Sequence, residues 1–270
     1  FLCSITQPDY GYITNFGKAH LEGFGGVEGV IAGKSEMYTY LKVNNRKVFV
    51  NLDDSIQDFK TKNFERITFS QTNSDAFLKV NNVSANPFVA IEFDAIKINS
   101  NLIGLYNATN IIAAVTIGKY FGVSNLDCKD AIESYFPENN RSQILSKNSN
   151  EIILDAYNAN PSSMEAALLN FIQLDKSNKV LVIGDMFELG GESIPEHQKI
   201  VDLLLKVTDI DCYLVGNDFF VSKVEVPHLH FYQSFDDFSN VIKQKNPFKD
   251  TLILIKGSRG MALERTLDYL

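Results

Sequence analysis

The sequence predicts an α/β protein in two parts, the second built on a parallel sheet. Three observations carry this. From Ile152 onward, short apolar runs alternate with segments of helical period. Ahead of them lies a mixed part, in which a glycine-spaced loop and an amphipathic helix precede β-like runs separated by Asn and Ser clusters. The two regimes meet at the polar stretch Pro137-Glu-Asn-Asn140, which divides the chain into residues 1–137 and 138–270.

The mixed part is organised around Ile13 to Leu41. An apolar run (Tyr10, Tyr12, Ile13) breaks at Thr14-Asn15, and a loop carrying His20 and Glu22 leads to a helix from about Val27. Val27, Val30, Ile31, Met37, Tyr38 and Leu41 recur at helical spacing and form one stripe. Lys34 falls inside it. A lysine on a buried face is costly unless it is paired, neutralised or chemically changed. Two readings stand side by side: snorkelling at the stripe's edge, or convergence with His20 on a charged ligand.

Next come β-like runs at Lys47–Leu52, Arg66–Ser70, Ala76–Val80 and Phe88–Ile98, expected as a small or antiparallel sheet. Asn51-Leu-Asp-Asp54 reads as a polar turn. The helix after Gly104 carries Asn107 as its expected N-cap, with Asn110 one turn on along the same face. Two carboxamides so placed can read a base edge, each offering donor and acceptor. From the residues alone, a plain cap followed by a solvated asparagine is the preferred reading. A further helix is expected over about Leu126–Phe136.

In the second part, strands are expected at Ile152–Leu154, Val180–Ile183, Cys212–Val215, Leu229–Tyr232 and Leu252–Ile255. Helices are expected at Pro161–Leu174, Pro195–Val207, Phe235–Gln244 and Gly260–Leu270. Repeated βα units with continuously apolar strands indicate a parallel sheet covered on both faces, with ligands beyond the carboxyl ends of the strands. The segments there are Asp155-Ala-Tyr-Asn-Ala-Asn-Pro161, Gly184-Asp-Met-Phe-Glu-Leu-Gly190 and Lys256-Gly-Ser-Arg-Gly260. Asn160 and Pro161 read as N-cap and first helical residue. Ser193-Ile-Pro-Glu196 reads as a capping box.

Composition narrows the function. The chain has 270 residues, 45% of them hydrophobic, with a net charge of −8 and no block of like charges, so nucleic acid and anionic membrane are poor partners. Cys3, Cys128 and Cys212 show neither metal spacing nor a disulfide framework, as in a reducing compartment. No apolar run is long enough for a membrane span. A dinucleotide fingerprint GxGxxG after a strand, a GxxxxGK[ST] phosphate loop and a GxSxG elbow are all missing from the sequence. Phe1 in place of Met reads as the start of a piece of something longer.

Taken together, TNFGKAHLEGFGG…AGKSE, GLYNATNIIAA, RSQ, LDAYNANPSSM, VIGDMFELG and IKGSRGMALE resemble the Mur ligases, in the family's order over nearly the whole chain. The wording YNANP, GDMFELG and KGSRGM is most similar to the branch that adds D-Ala-D-Ala. The resemblance implies part of a central ATPase domain (1–137) followed by a Rossmann-like ligase domain with a mostly parallel sheet (138–270). The family's phosphate loop, acidic metal ligand and UDP-sugar domain would lie ahead of Phe1, which puts independent activity of the polypeptide in doubt.

The implied reaction is amide formation. ATP phosphorylates the carboxylate of a UDP-N-acetylmuramoyl tripeptide, and the amine of D-Ala-D-Ala attacks the acyl phosphate, in the cytoplasm and with Mg²⁺. By resemblance His20 and Lys34 are the catalytic and metal residues, Lys34 as a carbamate. Thr14, Asn15, Asn107, Asn110, Arg141, Asp155 and Tyr157 face the nucleotide, the two asparagines at adenine. Asn158, Asn160, Lys256, Ser258 and Arg259 face the substrate. Residues from both domains imply that domain closure assembles the site; the protein is expected to be a monomer. Another Mur or folylpolyglutamate-type ligase, a non-catalytic nucleotide-binding fragment and an unrelated α/β binding module with coincidental motifs are the alternatives, the folylpolyglutamate type disfavoured by the missing DGAHNP wording at 155–161.

Overall fold

Parallel strand pairing organises both of the larger sheets. The computed structural model describes residues 1–245 and 248–270, in two units: Phe1–Gly17 with Phe24–Tyr135, and Lys18–Gly23 with Phe136–Leu270.

The chain opens with α1 (Leu2–Thr6), β1 (Tyr10–Tyr12), the four-residue α2 (Leu21–Phe24) and α3 (Val27–Val43). It continues through β2 (Lys47–Asn51), α4 (Ser55–Thr61), β3 (Arg66–Ser70) and β4 (Leu78–Lys79). These four strands form one sheet in the order β1-β2-β3-β4, every pair parallel. The expected antiparallel pairing is therefore wrong for the runs at 47–52, 66–70 and 76–80. The crossover between β2 and β3 is α4, which hydrophobic period does not reveal. Its buried residues are Gln57 and Thr61, while Phe59 is exposed. Its start is instead polar. Asp54 accepts from the backbone of Ile56 and Gln57 at 2.9 and 3.0 Å, and Gln57 returns a bond to the backbone N–H of Asn51 at 3.0 Å.

Antiparallel pairing does occur farther on, in β5 (Asn82–Ala85), β6 (Phe88–Phe93) and β7 (Ile96–Ile103). The single run expected at 88–98 is broken by Asp94 and Ala95, both in the left-handed region at φ 46° and 60°, into two hairpin strands. A 3₁₀ turn (Leu105–Asn107) leads into α5 (Ala108–Tyr120) and then α6 (Asn125–Glu133). Ile111, Ile112 and Val115 of α5 pack with Phe69, Ile91, Phe93 and Ile98 in one core. Val30, Tyr38 and Leu41 are the buried residues of α3, whereas Val27 is exposed, so the stripe is narrower than its spacing suggests.

The second unit contains β8 (Gln143–Lys147), β9 (Asn150–Asp155), α7 (Pro161–Gln173), β10 (Lys179–Gly184) and α8 (Ser193–Leu204). After these come β11 (Asp211–Val215), α9 (Asn217–Val221), β12 (Leu229–Tyr232), α10 (Phe235–Lys245) and β13 (Leu252–Lys256). The sheet order is β12-β11-β10-β13-β9-β8, parallel throughout except for β8. The sequence pattern yields its five apolar strands. The polar β8 escapes it because only alternate residues are partly covered on that antiparallel edge.

Two helix ends differ from expectation. Gly260–Leu270 is not an α-helix but two 3₁₀ segments, Arg259–Met261 and Leu263–Tyr269, hinged at Ala262 with φ 48°. Leu263 and Thr266, fully buried three residues apart, suit the threefold turn. Ser193 does not cap α8 either. Its hydroxyl donates to Asp218 at 2.5 Å, and Glu196 is drawn into ion pairs.

One glycine here is dictated by a close approach. Gly216 has φ 135°, and a Cβ there would lie 2.2 Å from the Asp185 carboxyl group. That carboxylate accepts from the backbone N–H groups of Asp218 and Phe219 at 3.1 and 3.0 Å. Gly216→Ala is expected to destabilise the second unit by about 3 kcal/mol. Urea unfolding followed by circular dichroism measures this, and an unchanged midpoint would refute it.

Candidate functional site

In the first unit, the carboxyl end of β1 runs into Thr14 and Asn15, and α3 sets Lys34 beside them. The Lys34 ammonium donates to the Asn15 backbone carbonyl at 2.8 Å. Desolvation holds its pKa below the ordinary lysine value. Lys34 is only partly covered and borders a cavity of about 560 Å³ lined by Cys3, Tyr12, Thr14, Asn15 and Met37 among others. The stripe thus presents its lysine to an opening.

Asn107 occupies the N-cap position of α5 without capping it, because its backbone is helical (φ −80°, ψ −14°). Its side-chain amide donates instead to the Ile103 carbonyl at 2.8 Å, and its oxygen accepts from the Asn110 side chain at 3.2 Å. The preceding 3₁₀ turn replaces the extended backbone that a side-chain cap requires. The result is a linked carboxamide pair, with Asn110 exposed.

In the second unit, β10, β13 and β9 are neighbours, so the three segments noted in the sequence emerge side by side at the carboxyl edge. Ser258, buried at 2% exposure, ties them together. Its hydroxyl donates to the Ala159 carbonyl at 3.3 Å and accepts from the Phe187 N–H at 2.8 Å; its own N–H donates to the Asp185 carbonyl at 3.1 Å. Lys256, 1% exposed, donates to Asp155 at 2.6 Å, and the other Asp155 oxygen accepts from the Ser142 N–H at 3.0 Å. Lys256 and Asp155 face one another in strand register. Asn160 caps α7 in a reciprocal box with Ser163, at 2.9 and 3.1 Å.

Several expected ligand contacts are therefore engaged inside the unit: Asp155, Asn160, Lys256 and Ser258. The more accessible ones are Asn158, Arg259, which pairs with Glu264 at 3.4 Å, and Arg141, whose guanidinium lies 3.8 Å over the exposed Tyr157 ring.

His20 belongs to the second unit, Lys34 to the first. The His20 Nδ1 meets the Glu188 carboxylate, and the Glu22 N–H donates to the Glu188 carbonyl at 3.1 Å. Lys18 pairs with Glu196 at 2.8 Å, and so does Lys199 at 2.7 Å. Burial pushes the Glu196 carboxyl up, but the two lysines outweigh it and hold it below the usual range. His197 is fully buried; its Nε2 accepts from the Met186 N–H at 2.9 Å and its Nδ1 donates to the Ser193 carbonyl at 2.8 Å.

Sequence reasoning missed Glu188, Lys18, Glu196 and the buried approach of Asp185 to His197, 3.6 Å apart. The partners lie far apart in the chain, and only the polarity of GDMFELG signalled that its loop carries more than a turn. Mg²⁺ favours oxygen donors. In the second unit the His20 Nε2 makes no hydrogen bond among the described residues, as a metal-binding imidazole requires; in the first, a carbamate on Lys34 would be an oxygen donor of the kind Mg²⁺ favours.

Residues 1–118 match the Mur ligase middle domain, and residues 140–259 match the Mur ligase glutamate ligase domain. The chain belongs to the Mur ligase family. Among curated relatives, the UDP-N-acetylmuramoyl-tripeptide–D-alanyl-D-alanine ligase of Bacillus subtilis is 27% identical over 97% of this chain and 59% of its own length. That of Haemophilus influenzae is 28% identical over 98% and 59%. A crystal structure of MurF from Acinetobacter baumannii superposes with TM-score 0.81 at 26% identity, covering 98% of this chain and 59% of that one. The MurF ligase of Thermotoga maritima, solved with ADP, shares the fold at TM-score 0.82 and 23% identity, covering 99% and 62%. The chain thus spans about three fifths of the length of the relatives it matches.

The buried Lys256–Asp155 pair yields a stability test. Lys256→Met strands a carboxylate and is expected to cost about 3–5 kcal/mol. Adding Asp155→Asn should recover part of this. A loss below about 1 kcal/mol in urea unfolding of the single variant would contradict the pairing.

Proposed function

We propose that this chain carries the middle and C-terminal parts of an ATP-dependent Mur ligase that joins D-Ala-D-Ala to a UDP-N-acetylmuramoyl tripeptide in peptidoglycan precursor synthesis. The observation that carries the reading is the alignment of YNANP, GDMFELG and KGSRG at the carboxyl ends of three adjacent strands, knotted at Ser258. The D-alanyl-D-alanine ligases among the curated relatives support the choice of substrates.

Within this reading, the linked carboxamides of Asn107 and Asn110 present donor and acceptor to adenine. Thr14 and Asn15 border the phosphate side, and the Arg141–Tyr157 stack offers a cation beside an aromatic face. Asp155, Lys256, Ser258 and Asn160 act by holding the loops, while Asn158 and Arg259 remain accessible to substrate. His20 and a carbamylated Lys34 would hold Mg²⁺, which when bound supplies neutralisation of charge on a transferring phosphoryl group. No helix among the described residues is long and apolar enough to cross a membrane, and cytoplasmic action on soluble nucleotide precursors is part of the same proposal.

Three measurements test it. Asn107→Leu with Asn110→Leu should weaken ADP binding about 10-fold in calorimetry, two net hydrogen bonds at about 0.5–1.5 kcal/mol each. Unchanged affinity in a folded variant would remove the pair from the nucleotide site. For Lys34, carbon dioxide reacts only with the neutral amine, and desolvation lowers the pKa, so neutral amine appears at lower pH than in free lysine. A ¹³C carbamate signal from labelled bicarbonate should therefore grow as pH rises and vanish in Lys34→Ala. In a ligase assay on the full-length enzyme that variant should lose most turnover, with formate restoring part. Full turnover without added acid would defeat the carbamate role.

A further inference from the structure

We propose that Glu188 is the positioning residue for His20: its carboxylate accepts the Nδ1 proton of the imidazole and leaves Nε2 as the outward donor for a divalent cation. The inference rests on the reading of His20 as a metal ligand and adds what aims it.

Both residues are held where side chains rarely settle. His20 has φ 56° and Glu188 φ 63°, each in the left-handed region without being glycine. Such conformations persist only when their surroundings over-determine them. Here the surroundings are a double tie, the imidazole–carboxylate contact and the backbone bond from Glu22 N–H to the Glu188 carbonyl at 3.1 Å. Gly190, at φ 54°, completes the approach, since a Cβ there would sit 3.3 Å from the Glu22 side chain. Upstream, Lys18 anchors the same segment, its N–H donating to the Ser162 hydroxyl at 3.1 Å and its ammonium to Glu196.

Stability does not explain the pair. The His20 and Glu188 side chains are 54% and 59% exposed, and an ion pair that open contributes little. Orientation does explain it. A neutral imidazole binds a cation through whichever nitrogen lacks the proton, and a carboxylate on the other nitrogen fixes that choice and raises ligand basicity. With Nδ1–H committed to Glu188, the lone pair is on Nε2, which has no hydrogen bond among the described residues. GDMFELG thereby gains a function beyond its turn: it reaches the loop that carries the histidine.

The test is the tautomer of His20, read by ¹⁵N–¹H correlation of ring-labelled histidine in the full chain in mildly alkaline buffer. His197, whose ring is fixed by Met186 and Ser193, serves as an internal fold control. His20 should carry its proton on Nδ1. Glu188→Leu should move it to Nε2, and Glu188→Gln, whose amide oxygen still accepts, should keep it on Nδ1. Mn²⁺ added as probe should broaden the His20 ring signals, with apparent affinity about 10-fold weaker in Glu188→Leu and near wild type in Glu188→Gln. An Nε2–H tautomer in the wild type, or one indifferent to Glu188→Leu, overturns the role of Glu188 alone. Mn²⁺ that leaves the His20 ring untouched in the wild type overturns the metal reading, and the aiming role with it.

Discussion

Lys256 is buried with its charge, and the carboxyl edge of the second sheet is arranged to make that tolerable. Burying a lone ammonium would cost several kcal/mol even after relaxation. The compensation comes from Asp155, its register partner on β9, whose other oxygen is occupied by the backbone of Ser142. One ion pair thus joins the start of the YNANP segment, the start of KGSRG and the entry to β8. Ser258, two residues on, adds GDMFELG to the knot. The loops are tied at their roots, and the exposed groups, Asn158, Tyr157 with Arg141 and Arg259, lie outside those ties.

This arrangement divides the polar residues of the site by depth. Asp155, Asn160, Lys256 and Ser258 are tied into the framework, whereas Tyr157, Asn158 and Arg259, interleaved with them along the same segments, are exposed. Neighbours in sequence such as Lys256 and Arg259, or Asn158 and Asn160, therefore carry different duties. Residue type gives no hint of the division, because lysine, serine and asparagine suit either duty equally well.

The same limit explains what was legible in the sequence. The apolar strands of the second unit could be read directly, since strands covered on both faces leave an uninterrupted hydrophobic signature. β8 and α4 could not: one is a polar edge, and the other turns Gln57 and Thr61 inward and Phe59 outward. In the site, Lys34 was conspicuous because a charge inside an apolar stripe is an anomaly that local spacing exposes. Asn107 was legible as a terminus residue and misjudged as a cap, since the 3₁₀ turn that redirects its amide depends on backbone angles. Glu188 was invisible as a partner of His20, because 168 residues separate them and their meeting is a property of folding.

The placement of the three cysteines has a practical outcome. Cys128 and Cys212 are buried, and desolvation pushes both thiols up, that of Cys212 to about 12, so their thiolates are scarce at neutral pH. Cys3 is partly exposed and borders the cavity beside Lys34. An environment-sensitive thiol dye would therefore label one position first and report on that cavity, giving the unaltered chain its own optical probe at Lys34.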